Sequence, residues 1–240
     1  AGLRISLPPP QRKRLDEYRV SILVDDETIP LTRDIVALQQ ELADFLKSSK
    51  VSVEIGARPD FDADEAHRLY DIMLRATTSA RQTDAEFDAN TAARDALSPR
   101  DDSKWARMLR GMTLSHRDWT ALNESRHRIR WKWHEFFQDF DLMLTPATVM
   151  TAIPHTETLP YERTIQVDGT RRPFMNQIWL PGYSNFTYLP TTVAPIGFAG
   201  DGMPVGVQII GPQYGDRTCI QFAGLLEKYY RRFEPPPGYV

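Results

Sequence analysis

Hydrophobic positions in the first quarter of the chain change from a strand-like to a helical spacing and back. The β-rich run Tyr18–Val24 ends at the acidic turn Asp25–Glu27, and Pro30 then opens a helical pattern that lasts to Lys47. Strict alternation returns in Lys50–Ile55. Because the links between these elements are short, their order predicts a right-handed strand–helix–strand crossover with a parallel strand pair.

The middle of the chain, residues 61–139, has an almost entirely helical pattern. Asp62 or Asp64 is suited to cap the first helix. Residues 82–111 predict two short helices that are broken at Ser98-Pro99. This stretch is therefore expected to form a group of helices between two β-containing regions.

A longer helix is predicted after Ser115, a candidate cap with Asp118 as its capping-box-like partner. The apolar run Asp141–Thr145 follows and predicts a buried strand that is closed by Pro146.

Two Asp-Gly pairs punctuate the last hundred residues. Asp168-Gly169 suits a tight primed turn between two short strands, and Asp201-Gly202 separates the strand-like stretches Thr192–Ala199 and Met203–Ile210. A final helix is predicted from Gly215-Asp216, and its apolar residues are Ile220, Phe222, Ala223, Leu226 and Tyr230. The whole order of elements predicts an α/β fold in which one sheet is layered with helices.

The composition limits the kinds of partner. A hydrophobic content of 41% and a charged content of 25% are ordinary for a soluble globular protein. The net charge of -3 gives no reason to expect nucleic acid or an acidic membrane as partner. Residues 1–10 have no signal-peptide pattern, and the one cysteine, Cys219, fits a reducing compartment. A cytoplasmic location is expected.

Residues with catalytic potential occur in incomplete patterns. Ser184 has a glycine on one side only, which does not make a serine elbow. His134 lacks the second histidine of a zinc helix, and ordinary surface roles explain it and His127. Cys219 is expected to be a small buried core residue, and Asp25-Asp26 a backbone cap. No metal and no cofactor are expected.

A long ordered run of motifs near the C-terminus resembles the amidase signature family. The run consists of Asn185–Phe198 with its Pro-x-Gly-Phe strand, Gly202–Gly211 with Met-Pro-Val-Gly-Val-Gln, and the closing helix Asp216–Glu227. Tyr18–Ile55 and Phe140–Pro146 are similar to earlier pieces of the same family. The resemblance implies that residues 19–240 are the C-terminal portion of an amidase-signature domain, with residues 1–18 as an extended connector. A mixed β-sheet layered with helices, lacking the N-terminal half of the fold, is expected.

The resemblance also implies a chemistry. In this family a serine nucleophile, a second serine on a cis peptide and a lysine base lie in the N-terminal half. A serine hydroxyl needs a positioned base, and the oxyanion needs backbone donors. This sequence has no Gly/Ser-rich stretch to carry them, and Lys104 and Lys132 are expected in solvent on helices. No catalytic residue is assigned, and the chain alone is expected to be inactive.

The family's substrate loops suggest where this chain would meet a substrate. By resemblance, the segment Trp179–Leu189 approaches the substrate, and three aromatic residues are expected to shape an apolar acyl site: Trp179, Tyr183 and Phe186. The alternative is that they are loop residues packed into the core. Thr187 is expected to hold a backbone turn.

The complete enzyme is expected to convert a small carboxamide into a carboxylate and ammonia or amine. Its expected partners are the small-molecule amide and the missing N-terminal half. Two alternatives remain open: a stand-alone α/β binding or complementing subunit without catalysis, and a transamidation subunit that shares the fold. Because half a sheet has an unpaired edge, self-association into a homo-oligomer is expected.

Overall fold

The computed structural model describes residues 2, 6–10, 12–26 and 29–239. Glu27, the last residue of the predicted acidic turn, lies outside them. The chain divides into two compact units, one formed by residues 1–60 with 133–240 and the other by residues 61–132. Within the predicted connector, Leu15–Glu17 form a 3-10 turn and Leu15 is buried.

The described residues form seven strands and seven helices. The strands are β1 Arg19–Ile22, β2 Ser52–Ile55, β3 Leu142–Pro146, β4 Thr164–Val167, β5 Thr170–Pro173, β6 Thr191–Phe198 and β7 Pro204–Ile210. The helices are α1 Arg33–Ser48, α2 Ala63–Thr78, α3 Asp84–Asp95, α4 Lys104–Met112, α5 His116–Asp139, α6 Trp179–Asn185 and α7 Asp216–Tyr229, with a second 3-10 turn at Phe174–Ile178.

A five-stranded mixed sheet of order β2-β1-β3-β7-β6 forms the centre of the first unit. β1 pairs in parallel with β2 and with β3, and β7 is antiparallel to both β3 and β6. The predicted parallel pair connected through α1 is confirmed. All five residues of β3 are buried, as expected for a strand covered on both faces.

Helices α1 and α7 contribute buried apolar residues to the core of this unit. Leu38, Leu42 and Leu46 of α1 follow one another at four-residue spacing and are buried. Tyr18, just before β1, meets Phe222 of α7 in an edge-to-face contact of 5.0 Å between ring centroids. Full burial of such side chains contributes roughly 1.5–3 kcal/mol each.

The buried stripe of α7 contains Phe222 and Leu226, as predicted, but not Ile220. Its buried residues are Cys219, Phe222, Leu225 and Leu226. Ile220, which is predicted on the apolar face, is 61% exposed, so that prediction is wrong. A residue next to the stripe is turned about 100° around the helix axis, which brings Ile220 to the outer side.

The two Asp-Gly hairpins have different turns. Asp168 and Gly169 both have positive φ, 47° and 80°, which is the conformation that a primed turn requires and confirms the prediction. In the second hairpin, Gly202 has a φ of 77°. Its N–H donates to the carbonyl of Ala199 at 2.9 Å, and the N–H of Ala199 donates to the carbonyl of Met203 at 2.9 Å. This is a longer loop that ends in a left-handed glycine.

The second unit is helical, as predicted. The side chain of Asp62 caps α2 by accepting from the N–H of Glu65 at 2.9 Å. Ser115 accepts from the N–H of Asp118 at 3.0 Å at the start of α5. The break predicted at Ser98-Pro99 falls between α3 and α4. In the described part of the chain, no helix is both long and apolar enough to cross a membrane.

Helices α2 and α4 approach each other closely at Gly111. A Cβ on this residue would lie 2.5 Å from the carbonyl oxygen of Ile72 and 2.6 Å from the Cβ of Arg75. Glycine at position 111 is therefore required by the packing of these two helices.

Candidate functional site

The three aromatic residues expected to meet substrate lie on one face of a short helix. Trp179, Tyr183 and Phe186 are spaced by four and three residues along α6 and its C-terminal cap, so their side chains project from the same face. Pro181 lies in the first turn of α6, where its missing N–H costs no helical hydrogen bond. The segment is therefore helical rather than a loop, and this leaves open the core packing that the alternative interpretation also expects.

These three residues are almost completely buried within the first unit. Trp179 is 1% exposed, Tyr183 3% and Phe186 4%. The rings of Trp179 and Tyr183 lie 5.0 Å apart, and Trp133 of α5 meets Tyr183 edge-on at 6.3 Å. The result is an aromatic cluster whose side chains belong to the buried core of the first unit.

A charged group lies at the polar end of this cluster. Arg58 Nη1 is 3.1 Å from Asp26 Oδ2 and 3.4 Å from the hydroxyl of Tyr183. Asp26 Oδ1 accepts from the N–H of Ile29 at 3.1 Å. The Asp26 side chain is 1% exposed and that of Arg58 33%, so a buried carboxylate is paired with a cation that reaches the surface.

This charged group occupies the carboxyl end of the parallel strands. Asp26 follows β1 by four residues and Arg58 follows β2 by three, and these two strands are parallel neighbours. In open α/β sheets, ligands bind outside the carboxyl ends of the strands. The placement makes this edge of the sheet the best candidate for a functional surface on the first unit.

Burial, together with the negative charge of Asp26, raises the pKa of Tyr183 to about 12. The charge of Arg58 and hydrogen bonds from Arg58 and Trp179 act in the opposite direction but do not overcome burial. Tyr183 is therefore a neutral phenol at physiological pH, and it can serve as a hydrogen-bonding group rather than as a base.

The sheet fixes α6 through a second buried polar contact. Gln208 of β7 donates from Nε2 to Thr145 Oγ1 at 3.0 Å and to the carbonyl of Leu180 at 3.1 Å. Both contacts are buried, so the amide is satisfied where water is excluded. At the end of α6, the hydroxyl of Thr187 donates to the carbonyl of Tyr183 at 3.0 Å, which fits the expected backbone role.

The contacts of Arg58 and Gln208 are missing from the sequence prediction, which explains Asp26 only as a cap. One signal was present: both Asp26 and Arg58 come directly after predicted strands of a parallel pair. Gln208 belongs to the Met-Pro-Val-Gly-Val-Gln motif of the resemblance, but the sequence does not indicate which groups its amide contacts.

Cys219 is a core residue, as predicted. Burial, with a smaller contribution from the negative charge of Asp216, raises the pKa of its thiol to about 12. Its Sγ lies 3.7 Å from the carbonyl of Pro190. A protonated, buried thiol is a poor nucleophile, so this cysteine offers no catalytic group.

The expectation that two lysines lie in solvent is wrong, because Lys104 and Lys132 are both half-buried. In the second unit, burial lowers the pKa of Lys104, and the nearby Asp71 partly offsets this effect. Asp71 also lies 3.8 Å from His67 and 3.4 Å from Arg107. Ion pairs between α2 and α4 explain why these charged residues lie together.

In residues 2, 6–10, 12–26 and 29–239, no group of three or more potential metal ligands occurs.

Comparison with known proteins identifies the family. The family model described as Amidase matches residues 5–220, and the chain therefore belongs to the amidase signature family. A glutamyl-tRNA(Gln) amidotransferase subunit of Streptococcus equi subsp. zooepidemicus (strain MGCS10565) is 26% identical over 213 residues, covering 87% of this chain and 38% of the relative. Fatty acid amide hydrolase of Medicago truncatula is 30% identical over 113 residues, covering 46% and 18%.

Solved structures agree with the fold. A glutamyl-tRNA(Gln) amidotransferase subunit from Thermotoga maritima aligns with a TM-score of 0.68 at 17% identity, over 99% of this chain and 49% of that chain. A bacterial aryl acylamidase of the amidase signature family aligns with a TM-score of 0.62 at 19% identity, over 89% and 44%. The predicted α/β fold with a mixed sheet is confirmed. The chain spans about half of the solved structures that it matches.

Proposed function

We propose that this chain supplies the C-terminal part of an amide hydrolase, whose complete form converts a small carboxamide into a carboxylate and ammonia or amine. The observation that carries the proposal is the family match over residues 5–220. The 240-residue sequence has no Gly/Ser-rich stretch that could hold the family's serines and oxyanion donors. In this proposal those groups lie on polypeptide outside the 240 residues, and the chain alone is inactive.

In this proposal α6 forms one wall of the substrate pocket. Trp179, Tyr183 and Phe186 line the acyl side as a packed floor, which their common helix face and the contact of Tyr183 with Arg58 support. Because Arg58 and Gln208 hold α6 from the sheet, the floor keeps one shape. Truncation of Phe186 to alanine would then enlarge the acyl site and shift the preference towards longer acyl groups.

The test of the proposed function is ammonia release from a panel of small amides. The 240-residue chain is compared with the same chain joined to the polypeptide encoded directly upstream in its reading frame. Hydrolysis by the joined form alone is the expected result. Turnover by the purified 240-residue chain, free of longer species, would overturn the proposal.

A second candidate is a transamidation subunit. It is supported by the glutamyl-tRNA(Gln) amidotransferase relative, which matches 87% of this chain. This candidate requires an obligate partner and transfer of the released ammonia to a charged tRNA. Hydrolysis of free amides by the joined form without any further subunit favours the hydrolase.

The remaining alternative is a stand-alone binding or complementing subunit without catalysis. A stop codon directly before the first codon of this chain would favour it over the hydrolase. The proposed hydrolase needs no metal or cofactor, since serine chemistry supplies the nucleophile. A cytoplasmic location belongs to the proposal and is supported by the free thiol of Cys219.

A further inference from the structure

Lys104 is the first residue of α4, a position at which the helix itself disfavours a positive charge. The N-terminal end of a helix carries a partial positive charge, so acidic side chains are stabilised there and basic ones are not. α4 has no acidic residue in its first turn, and Ser103 caps it by accepting from the N–H of Ala106 at 3.2 Å. The ammonium form of Lys104 therefore gains nothing from its own helix.

The surroundings of Lys104 contain two further cations and one shared anion. The positive charges of Arg75 and Arg107 act on the half-buried amine, and so does the negative charge of Asp71. Asp71 lies 3.4 Å from Arg107 and 3.8 Å from His67, so other groups already share its carboxylate. Among the described residues, the amine of Lys104 has no ion-pair partner and no hydrogen-bond acceptor.

These surroundings favour the neutral form of the amine. Burial lowers the pKa of Lys104. The charges of Arg75 and Arg107 act in the same direction, and that of Asp71 acts in the opposite one. At a given pH, a larger share of this amine has a free lone pair than the amine of an exposed lysine does. Lysines that are desolvated or lie beside other cations are activated nucleophiles towards carbonyl compounds.

Arg75 is the neighbouring cation that is available to a ligand. Its guanidinium has no ion pair and no hydrogen bond within the part of the chain that the structure describes, and Arg75 lines an open cleft of about 410 Å³. Arg107 is occupied, since its guanidinium lies 3.1 Å from Asp102 and 3.4 Å from Asp71. A small anion that approaches Lys104 is therefore attracted by Arg75.

We propose that Lys104 is a site of covalent modification by a small aldehyde that carries an anionic group. The lone pair of Nζ attacks the carbonyl carbon, and the carbonyl oxygen leaves as water together with both protons of the neutral amine. A C=N bond replaces C=O, and no oxidant or reductant is consumed. Arg75 holds the anionic group of the aldehyde. The site lies within the second unit and does not depend on the proposed amide hydrolysis.

The experiment is labelling of the 240-residue chain with pyridoxal phosphate, an aldehyde that carries a phosphate. Cyanoborohydride fixes each imine, and peptide mass spectrometry gives the rate at every lysine. Lys47 is the internal control, because it is exposed in the last turn of α1, the end of a helix that favours a cation. At pH 7, Lys104 is expected to be labelled at least about fivefold faster than Lys47. This advantage is expected to shrink as the pH rises, since exposed amines then lose their proton too.

Two further aldehydes test the requirement for an anionic group. Pyridoxal, which lacks the phosphate, is expected to label Lys104 with a smaller advantage over Lys47 than pyridoxal phosphate has. Glyoxylate carries a carboxylate instead. Preferential labelling of Lys104 by glyoxylate supports a site for anionic aldehydes in general, and preference for pyridoxal phosphate alone supports a site for phosphorylated ones.

Paired arginine variants test the role of Arg75. Arg75→Gln keeps the Cβ that packs beside Gly111 and is expected to slow the labelling of Lys104 by pyridoxal phosphate about threefold or more. Arg68→Gln is the matched control on the same helix, because Arg68 pairs with Asp102 at 3.8 Å. It is expected to change the rate less than about 1.5-fold.

Several outcomes would overturn the proposal. Labelling of Lys104 that is no faster than that of Lys47 removes the activated amine. Equal labelling of Lys104 by pyridoxal and pyridoxal phosphate removes the anionic class of ligand. These two comparisons use the unchanged chain, so they decide the question even if a variant fails to fold. Protection of Lys104 in the chain joined to its upstream polypeptide overturns the site for the longer protein. Preferential labelling of Lys104 in a joined form that hydrolyses no amide supports this site and contradicts the proposed function alone.

Discussion

The guanidinium of Arg58 bridges the buried Asp26 carboxylate, 3.1 Å away, and the hydroxyl of Tyr183, 3.4 Å away. It connects the loops after two parallel strands to α6, the helix that carries the proposed substrate wall. This contact, and packing elsewhere in each unit, lead to four predictions.

Replacement of Arg58 by leucine is expected to destabilise the chain, because the Asp26 carboxylate would stay buried without its cation. The expected loss in the free energy of unfolding is about 3 kcal/mol, measured by urea denaturation. Arg68→Leu is the control, since its ion pair with Asp102 is largely exposed and contributes about 1 kcal/mol or less. Equal effects of the two substitutions would contradict the role of Arg58.

The aromatic cluster provides a second comparison. Trp179→Ala removes a ring that is 1% exposed and is expected to cost about 3–5 kcal/mol. Trp131→Ala removes a ring that is 66% exposed and is expected to cost about 1 kcal/mol or less. Both are measured by urea denaturation. A loss below about 1 kcal/mol for Trp179→Ala would show that α6 is not packed on the core.

Alkaline pH should lower stability. The pKa of Cys219 rises from 9.0 in the unfolded chain to about 12 in the fold, so between these values only the unfolded chain loses the proton. Stability is therefore retained below pH 9 and is expected to fall by up to about 1.4 kcal/mol per pH unit above it from this group. Tyr18 and Tyr183, raised from 10.0 to about 12, act in the same direction above pH 10.

Denaturation curves from pH 7 to 11 measure this dependence, and Cys219→Ala separates the groups. The variant is expected to lose the part of the slope that begins near pH 9, although it lowers stability at every pH by leaving a small cavity. An unchanged slope would mean that the thiol is not buried as described.

Replacement of each of two helical glycines by alanine is expected to change stability in opposite directions. Gly111→Ala is expected to destabilise the second unit by about 1–3 kcal/mol, because the new Cβ would lie 2.5 Å from the Ile72 carbonyl oxygen. Gly224→Ala meets no atom within 4 Å and is expected to stabilise α7 by about 0.5–1 kcal/mol. Thermal unfolding measures both, and a neutral Gly111→Ala would contradict the close approach of α2 and α4.

Much of the fold could be predicted from the sequence because its signals are local. The caps at Asp62 and Ser115 and the Asp168-Gly169 turn each depend on residues within a few positions of one another. The parallel pair of β1 and β2 followed from the order strand, helix, strand and from the short links between these elements. These features need no knowledge of distant contacts.

The site could be predicted only in part, because its contacts are distant in sequence. Arg58 and Tyr183 are 125 positions apart, and no pattern in either segment indicates the other. The helix α6 contains Gly182, which disfavours helices, so its packing against the core outweighs local propensity. The exposure of Ile220 depends on which of two adjacent apolar faces of α7 packs against the rest of the unit, and the spacing of apolar residues in α7 does not decide this. The substrate-binding role of Trp179, Tyr183 and Phe186 remains a prediction.

Covalent labelling tests the central claim most directly. A reactive phosphonyl fluoride, which couples to an activated serine, is added to the 240-residue chain and to its joined form, and the labelled peptide is found by mass spectrometry. The isolated chain is expected to stay unlabelled, and the joined form is expected to be labelled at a serine outside residues 1–240. Stoichiometric labelling of a serine within the 240-residue chain would contradict it.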